Sequence, residues 1–532
     1  MAIRRARRNG TPRGLIQVRA NRRTRYLSCW YCDWKFFSLN ELLYFFGQRY
    51  ARFLRNWMTF GVALSVISLF GITVMLFWEA AAAFHLHRWS FGLQDIPLSL
   101  FWGTTPLVSG LSISIMDFAV VVFSTVISVT VHELGHAVAA ASEGVPIEYV
   151  AIFLAVIFPG ALVAFNNDLL QALPNFASLR IYCAGIWHNA VFCVVCGLAL
   201  LLLPLTLHPL YIHGENAMVL GVSPSSPLSD YLSRGDVILS VDGEKIHSPH
   251  ELMEKMVQVD TKLLQGTGSN EKGYCVPNAL LEESKTVSVL DDNFSCPDGH
   301  AAFIGLPCLN SSSFFEISST HHGRYKKENK HCLSPELVVK LTKCGEGWGG
   351  TGFLKNPCSC SKNEYCMKPL LIPGLSWFEV SYAKPYSSEC FQLRRNTSLI
   401  DFNPGYGSYP CGVGTFVYVG DMLILAHSMR LSAYQPRWMH FSWSMDVPST
   451  LENILACAYH VSAALAAINS LPVFFLDGEY ILETALYYIT WLNPRKRRRA
   501  AKVTLIAGTI LSVIALSRIV YFTYYSGSLP LE

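Results

Sequence analysis

Residues 132–136, His-Glu-Leu-Gly-His, are the part of the chain whose residue types and spacing point to chemistry. Two histidines four residues apart lie on one face of a helix, so His132 and His136 can bind one Zn²⁺ together. Glu133 lies next to them and can serve as general base for a water molecule at the metal. The alternative is a pair of histidines that only hydrogen-bond to neighbours. It is disfavoured because the surrounding sequence is apolar enough to span a membrane, where ionisable groups are costly.

A catalytic zinc usually has three protein ligands and one open position. The residues after His136 do not fit the metzincin pattern, and no glutamate occurs between Glu148 and Glu215 to act as a gluzincin ligand. The third ligand is therefore expected far along the chain. The best candidate is Asp477, a carboxylate in an interrupted apolar segment, where a cationic partner is expected. His460, in the same segment, is the alternative, although a histidine there more often packs or hydrogen-bonds.

The elements that must position these residues are membrane spans. A mean hydropathy of +0.30 and only 15% charged residues over 532 positions are typical of an integral membrane protein. The third apolar segment contains Phe158-Pro159-Gly160, which favours a re-entrant hairpin over a lipid-exposed crossing. The sequence predicts a polytopic α-helical membrane protein with about five or six spans and this hairpin. The apolar segments are residues 60–77, 116–141, 147–165, 181–207, 451–488 and 503–522.

Two basic clusters predict the orientation in the membrane. Residues 1–25 contain nine arginines and no acidic residue, and residues 495–499 read Arg-Lys-Arg-Arg-Arg. Basic segments beside spans stay in the cytosol, so both clusters are expected there, with the polar region 211–445 in the lumen. Nucleic-acid binding or nuclear import is the alternative, but membrane topology explains both clusters together, and no nucleic-acid partner is expected. An organelle transit peptide is disfavoured because residues 1–25 lack serine and a clear amphipathic stripe.

The polar region contains ten of the 16 cysteines and three N-glycosylation sequons. Such a set predicts disulfides in an oxidising lumen. A zinc ribbon is the alternative, but these ten cysteines include no Cys-x-x-Cys pair. Cys29 and Cys32 form that pair in the N-terminal tail, where reduced or acylated thiols are favoured over a metal site. The sequons are at Asn293, Asn310 and Asn396.

Residues 219–247 alternate apolar and polar positions around the turn signals Gly235-Asp236 and Asp242-Gly243. The pattern resembles part of a PDZ domain, and any small β-domain with hairpins is the alternative. A Cys-rich insertion is expected at about residues 265–390. The predicted organisation is a basic cytosolic tail (1–58), spans with the histidine motif and hairpin (59–210), a lumenal PDZ-like domain with its insertion (211–445) and further spans (446–532).

Two motifs in separate spans together resemble the site-2 protease family of intramembrane zinc metalloproteases. They are His132-Glu133-x-x-His136 and, at residues 469–478, Asn-x-x-Pro-x-x-x-Leu-Asp-Gly. Gly185-Ile-Trp-His-Asn189, in an intervening span, is similar to the Gly-x-x-x-Asn element of that family. The resemblance covers nearly the whole chain from the second span onward, and the Cys-rich region points to the eukaryotic, Golgi-resident branch.

The resemblance implies roles for these residues. His132, His136 and Asp477 would bind one zinc ion, and Glu133 would be the catalytic base. Asn189 would contact the substrate or help to hold the oxyanion.

Two further residues would shape the segment that ends at Asp477. Asn469 and Pro472 would bend it and help to receive the substrate.

The PDZ-like domain would act as a lumenal gate.

The resemblance also implies substrates and a location. The substrates would be single-span proteins, such as membrane-tethered transcription factor precursors, cut after a first lumenal protease to release cytosolic domains. The protein would reside in the Golgi or endoplasmic reticulum membrane.

Other classes of protein remain as alternatives. A transporter predicts an internal repeat, which the two halves of the sequence lack. A catalytically silent adaptor would use its PDZ-like domain for binding, but such proteins tend to lose the base, and Glu133 is present. A prenyl-protein protease would use a glutamate ligand instead of a distant Asp-Gly.

Overall fold

The helices and strands are taken from a computed structural model of the chain. The structure describes residues 16–20, 23–28, 31–83, 115–155, 158–255, 272–284, 296, 299–306, 330–345, 348, 360–370, 376–387, 389–390, 392, 412–420, 425, 428–437 and 445–526. The helices are α1 Ser38–Arg49, α2 Ala51–Ala83, α3 Ile115–Ser142, α4 Asn167–Ala172, α5 Asn175–Leu207, α6 Asn278–Glu283, α7 Pro335–Val338, α8 Val447–Asn469, α9 Asp477–Leu486 and α10 Pro494–Ser526. The strands are β1 Ile16–Ala20, β2 Arg23–Ser28, β3 Tyr31–Phe36, β4 Ile147–Ala155, β5 Phe158–Phe165, β6 Tyr211–Val222, β7 Val237–Val241, β8 Glu244–Lys245, β9 Gly273–Pro277, β10 Ala301–Gly305, β11 Lys330–Leu333, β12 Lys343–Cys344, β13 Glu364–Pro369, β14 Ser376–Ala383, β15 Gly414–Gly420 and β16 Met429–Pro436.

Five helices of the described chain are long and apolar enough to cross a membrane: α2, α3, α5, α8 and α10. The 28 residues of α3 extend about 42 Å, which exceeds the roughly 30 Å of a bilayer's hydrocarbon core. The protein is therefore a polytopic membrane protein, as predicted. By contact, the chain divides into two units: residues 1–203 with 451–532, and Pro204–Thr450.

The interrupted apolar segment 147–165 forms a β-hairpin. Strands β4 and β5 pair in antiparallel register from Ile147↔Phe165 to Ala155↔Phe158. Pro159 therefore lies inside β5. Proline is tolerated there because β5 ends the sheet and pairs on one side only, with β4, in the described part of the chain.

The N-terminal tail extends the same sheet. The strand order is β1-β2-β3-β4-β5, and β3 pairs with β4 along its whole length, from Tyr31↔Ala155 to Phe36↔Val150. Helices α1 and α2 follow directly, so α2 begins nine residues before the predicted start of the first span at Phe60. The sequence offered a basic charge pattern here but no clear strand alternation, and these strands were not predicted.

The predicted break in the late apolar segment is present. Helix α8 ends at Asn469 and α9 begins at Asp477. Gly478 is required for this turn because a Cβ there would overlap the Leu471 carbonyl oxygen. Gly508 of α10 has a similar role, since a Cβ at that position would overlap the Pro472 carbonyl oxygen.

Two antiparallel sheets make up the second unit. One has the order β15-β14-β7-β6-β16 with β8 beside β7, and the other has the order β11-β10-β13-β9-β12. The chain leaves the first sheet after β8, builds the second, and returns with β14. The predicted turn at Asp242-Gly243 joins β7 to β8 with positive φ angles of 54° and 83°, as a tight hairpin turn requires.

Disulfides stabilise the second sheet, and a buried polar network joins it to β14 of the first sheet. The bonds join Cys275 to Cys360, Cys296 to Cys332 and Cys344 to Cys366, so these sulfurs are not free for a zinc ribbon. Tyr274 on β9 donates to Glu379 on β14 at 3.1 Å, and Lys343 on β12 pairs with the same carboxylate at 2.6 Å. Burial and the nearby Glu379 carboxylate raise the pKa of the Tyr274 hydroxyl, which keeps it protonated as a donor.

Candidate metal centre

His132 and His136 lie in the second half of α3 and are both buried. Their side chains share a helix face, as their four-residue spacing requires, and their Nε2 atoms are 3.2 Å apart. Each ring is fixed through its other nitrogen. Nδ1 of His136 donates to the Ile181 carbonyl of α5 at 2.8 Å, which leaves Nε2 with a free lone pair for a metal.

Asn189 of α5 holds the ring of His132. Its fully buried amide nitrogen lies 3.1 Å from His132 Nδ1, and its oxygen has no hydrogen-bond partner among the described residues. When Nε2 of His132 binds a metal, Nδ1 carries the proton and needs an acceptor. A half-turn of the amide preserves its shape and supplies that oxygen. Asn189 therefore contacts a predicted ligand histidine, and its predicted role at the oxyanion stays a prediction.

Asp477 is brought to the histidines by the break between α8 and α9. It is 0% exposed, and its Oδ2 lies 3.2 Å from Nε2 of both His132 and His136. Neither carboxylate oxygen accepts a well-directed hydrogen bond from the described residues. A buried carboxylate without donors is unstable unless a cation compensates its charge.

The three ligand atoms fit zinc. Ligands about 2.0–2.1 Å from a tetrahedral zinc are separated from one another by about 3.3 Å, and here all three separations are 3.2 Å. Two imidazole nitrogens and one carboxylate oxygen are also a ligand set that zinc accepts. His460 lies outside this group and contacts the ring of Tyr459.

Glu133 is held by the hairpin. Its Oε2 accepts a hydrogen bond from the backbone N–H of Val163, on β5, at 3.0 Å. This N–H points away from β4, toward α3, so strand β5 and the histidine helix meet at the carboxylate. The sequence placed Glu133 in the site but could not identify the backbone group that orients it.

Gly185 allows α5 to approach the predicted metal ligands. A Cβ at this position would overlap the imidazole rings of both His132 and His136. Gly185 and Asn189 are one helical turn apart on α5, so the predicted Gly-x-x-x-Asn element faces the histidines with both of its residues.

The other predicted site residues shape the approach to Asp477. Asn469 is buried at the end of α8 and donates to the Leu465 carbonyl at 2.9 Å. Pro472 lies in the loop that precedes Asp477, against Gly508. The predicted glycosylation sites Asn293, Asn310 and Asn396 lie outside the described residues, as does Cys29.

A candidate spanning helix with His-Glu-x-x-His, completed by a buried carboxylate from a second apolar segment, is the arrangement expected of a metalloprotease. Residues 119–403, more than half of the chain, match the model of Peptidase family M50. The chain is also 43% identical over 505 residues to the membrane-bound transcription factor site-2 protease homolog of Arabidopsis thaliana, with 92% of each chain covered. The protein therefore belongs to peptidase family M50. This confirms the resemblance to site-2 proteases and favours a protease over the transporter and adaptor alternatives.

Proposed function

We propose that this protein is an intramembrane zinc endopeptidase that cleaves the membrane-spanning segments of tethered transcription factor precursors. One observation carries the proposal: three metal-ligand atoms from two apolar segments converge at 3.2 Å separations beside Glu133. The substrate class is suggested by the name of the Arabidopsis relative, a protease of membrane-bound transcription factors.

The residues of the site would have three roles: metal binding, proton transfer and orientation of the other side chains. His132, His136 and Asp477 would hold the zinc, which when bound supplies Lewis-acid activation of a water molecule and of the scissile carbonyl. Glu133 removes a proton from the attacking water and returns it to the leaving nitrogen. The Val163 N–H keeps the Glu133 carboxylate pointed at the site, and the Ile181 carbonyl keeps His136 in the tautomer that leaves Nε2 free. After its half-turn, the Asn189 amide would do the same for His132.

A substrate helix must unwind before it can be cut, because its scissile carbonyl is hydrogen-bonded and shielded. Apart from the Val163 N–H, which Glu133 accepts, the outer edge of β5 has no strand partner in the described part of the chain and could accept an extended segment as an added strand. Substrates with Asn, Gly or Pro near the cut unwind more easily, since proline costs a helix about 3 kcal/mol.

Features of the second unit support our proposal for the location of the protein. We place it in the lumen of the Golgi or endoplasmic reticulum, with the N-terminus in the cytosol. Its disulfides favour an oxidising compartment, and its six-stranded sheet with the tight β7–β8 turn is compatible with a PDZ-like domain that carries a disulfide-rich insertion. Uncleaved precursors would be refused until a first lumenal protease has trimmed them.

Cleavage of a single-span reporter in detergent, with zinc counted per chain, tests the proposal. Wild-type protein should cleave, and Glu133→Gln should retain about one zinc and lose at least about 100-fold in kcat, the contribution of general base catalysis. Glu148→Gln, the same substitution at an exposed residue that follows the histidine helix, is the matched control. Equal cleavage by Glu133→Gln and wild type, or a folded protein without zinc, would overturn the proposal.

A further inference from the structure

Two polar side chains of helix α1 donate hydrogen bonds to the rest of the protein, and Leu43 packs between them against the core. The Asn40 amide donates to the Glu148 carbonyl at the start of β4, and the Gln48 amide donates to the Ala141 carbonyl in the last turn of α3, both at 2.6 Å. A helix on a water-facing surface has apolar residues inward and polar residues outward.

The outer face of α1 consists of large apolar side chains. Leu42 and Phe45 are 63% and 64% exposed, and Phe53, in the first turn of α2, is 66% exposed. The charged residues of α1 are Glu41 and Arg49, near its two ends. A contiguous apolar surface of this kind marks contact with lipid or with another protein.

Continuity with α2 identifies the occupant of this face as lipid. Only Tyr50 separates α1 from α2, which is a candidate membrane span. The exposed apolar surface continues along α2 through Phe60, Ile67 and Phe70. Amphipathic helices that carry large apolar residues on one face lie in the membrane interface with that face in the acyl-chain boundary.

We propose that α1 is an interfacial helix that contacts membrane lipid through Leu42, Phe45 and Phe53 and, from that position, fixes the C-terminal end of α3. The second half of this proposal rests on the proposed function, because α3 carries the histidines and Glu133.

Helices α1 and α2 contact the C-terminal end of α3 through close packing and directed hydrogen bonds. A Cβ on Gly47 would overlap the side chain of Ala141, so the two helices touch at that point. Arg55 of α2 donates to the Ser142 carbonyl at 2.9 Å. The carbonyls of the last turn of a helix lack intrahelical partners, and here Gln48 and Arg55 supply them. Ala141 lies five residues beyond His136, so a shift of this end displaces the metal ligands and Glu133 along the helix axis.

Photo-crosslinking tests the lipid contact. Benzoylphenylalanine replaces Phe45 in the full chain, which is reconstituted into vesicles of phosphatidylcholine and phosphatidylserine and irradiated, and adducts are identified by mass spectrometry. Phe60 is the lipid-facing positive control, and Met58, buried on α2, is the negative control. Lipid adducts at positions 45 and 60 but not at 58 are expected. A protein adduct at position 45, or no lipid adduct there while position 60 gives one, overturns the proposal. This measurement does not depend on proteolysis, so it stands or falls separately from the proposed function.

Gly47→Ala tests whether the contact between α1 and α3 positions the catalytic groups. Its matched control is Gly71→Ala, because Gly71 has no neighbouring atom within 4 Å of an added Cβ. Gly47→Ala should lower kcat about tenfold or more, with KM and zinc content near wild type, because small displacements of catalytic groups are costly. If Gly47→Ala does not fold, Gln48→Leu removes only the hydrogen bond to Ala141 and should lower kcat in the same way. A kcat equal to that of Gly71→Ala, in whichever variant folds, overturns the coupling.

Discussion

At the scale of single residues, the geometry of the proposed metal centre depends on the missing side chain of a glycine as well as on the proposed ligands. Gly185 is the point where α5 passes over the imidazoles of His132 and His136. Any larger residue there would separate α5 from α3 and would also move Asn189, one turn further along, away from His132. Ligand spacing in α3 is therefore set in part by the packing of a helix that contributes no ligand.

Gly185→Ala should abolish zinc binding, because its Cβ would overlap both ligand imidazoles, and cleavage should fall by at least about 100-fold. Gly197→Ala, on the same helix, is the control, since its nearest neighbour would be a Tyr459 ring atom at 3.7 Å. Zinc per chain is measured by mass spectrometry on both purified variants. One zinc per chain in Gly185→Ala, with normal cleavage, would contradict this account of α5.

The zinc affinity of Asn189 variants distinguishes two roles for this residue: orienting His132 or contacting the substrate. Asn189→Ala should weaken zinc binding about 10- to 100-fold, the usual cost of removing the group that orients a ligand histidine. Asn189→Asp should retain most of the affinity, because a carboxylate also accepts from His132 Nδ1. Competition with a chelator measures both variants. Unchanged zinc affinity in Asn189→Ala together with a large loss in kcat would favour the oxyanion role instead.

The sequence indicated the chemically distinctive side chains of the site and missed its backbone groups. His132, Glu133, His136 and Asp477 were recognisable because ionisable residues are rare in apolar segments. The Val163 N–H and the Ile181 carbonyl orient Glu133 and His136, but every residue has such groups. Only the three-dimensional packing of β5 and α5 selects these two.

At the scale of elements, the break between α8 and α9 delivers Asp477 to the histidines. Proline and glycine predicted this break, since proline removes a backbone donor and Gly478 leaves room for the Leu471 carbonyl. The partner of the loop could not be predicted, because Gly508 lies 36 residues beyond Pro472 and carries no motif.

Gly508→Ala should therefore weaken zinc binding although residue 508 touches no ligand. Its Cβ would overlap the Pro472 carbonyl oxygen and push the loop that ends at Asp477. We expect about a tenfold loss of zinc affinity, similar to loss of an orienting group. Ile510→Ala, at an exposed position on α10, should retain wild-type affinity in the same chelator competition. If the two variants bind zinc equally, the loop is positioned by other contacts.

The hairpin and the N-terminal strands are the secondary-structure elements that sequence patterns predict least well. Residues 147–165 are almost uniformly apolar, and such runs do not distinguish strand from helix by periodicity. The Pro-Gly pair predicted a re-entrant hairpin; the strands form a β-hairpin, with Pro159 and Gly160 inside β5, and its re-entrance stays a prediction. Strands β1–β3 lie in an arginine-rich segment. Its charge pattern predicted the orientation in the membrane but gave no indication that β3 pairs with β4.

At the scale of the whole molecule, the chain consists of a unit that holds the metal site and a unit that holds the disulfides. All three ligands, Glu133, Val163 and Asn189 belong to the first unit, whereas the described disulfides belong to Pro204–Thr450. The domain bounds at residues 211 and 445 stay a prediction, made because a polar segment rich in cysteine cannot be part of a membrane span.

This division predicts that breaking a disulfide affects one unit only. Cys275 and Cys360 are 85 residues apart, and removing a cross-link over such a loop costs about 4–5 kcal/mol in the chain-entropy model. Replacing both cysteines with serine should make the second unit sensitive to limited proteolysis at much lower denaturant concentration. The zinc content should stay near one per chain, and a reporter with a short lumenal segment should still be cleaved. Cys193→Ser is the control, because Cys193 is a free thiol of the first unit whose Sγ donates to the Tyr459 carbonyl, a bond that serine can keep. Loss of zinc in the double variant but not in the control would mean that the second unit supports the proposed metal site. That result would contradict the expectation that the first unit alone supplies the ligands, the base and the residues that orient them.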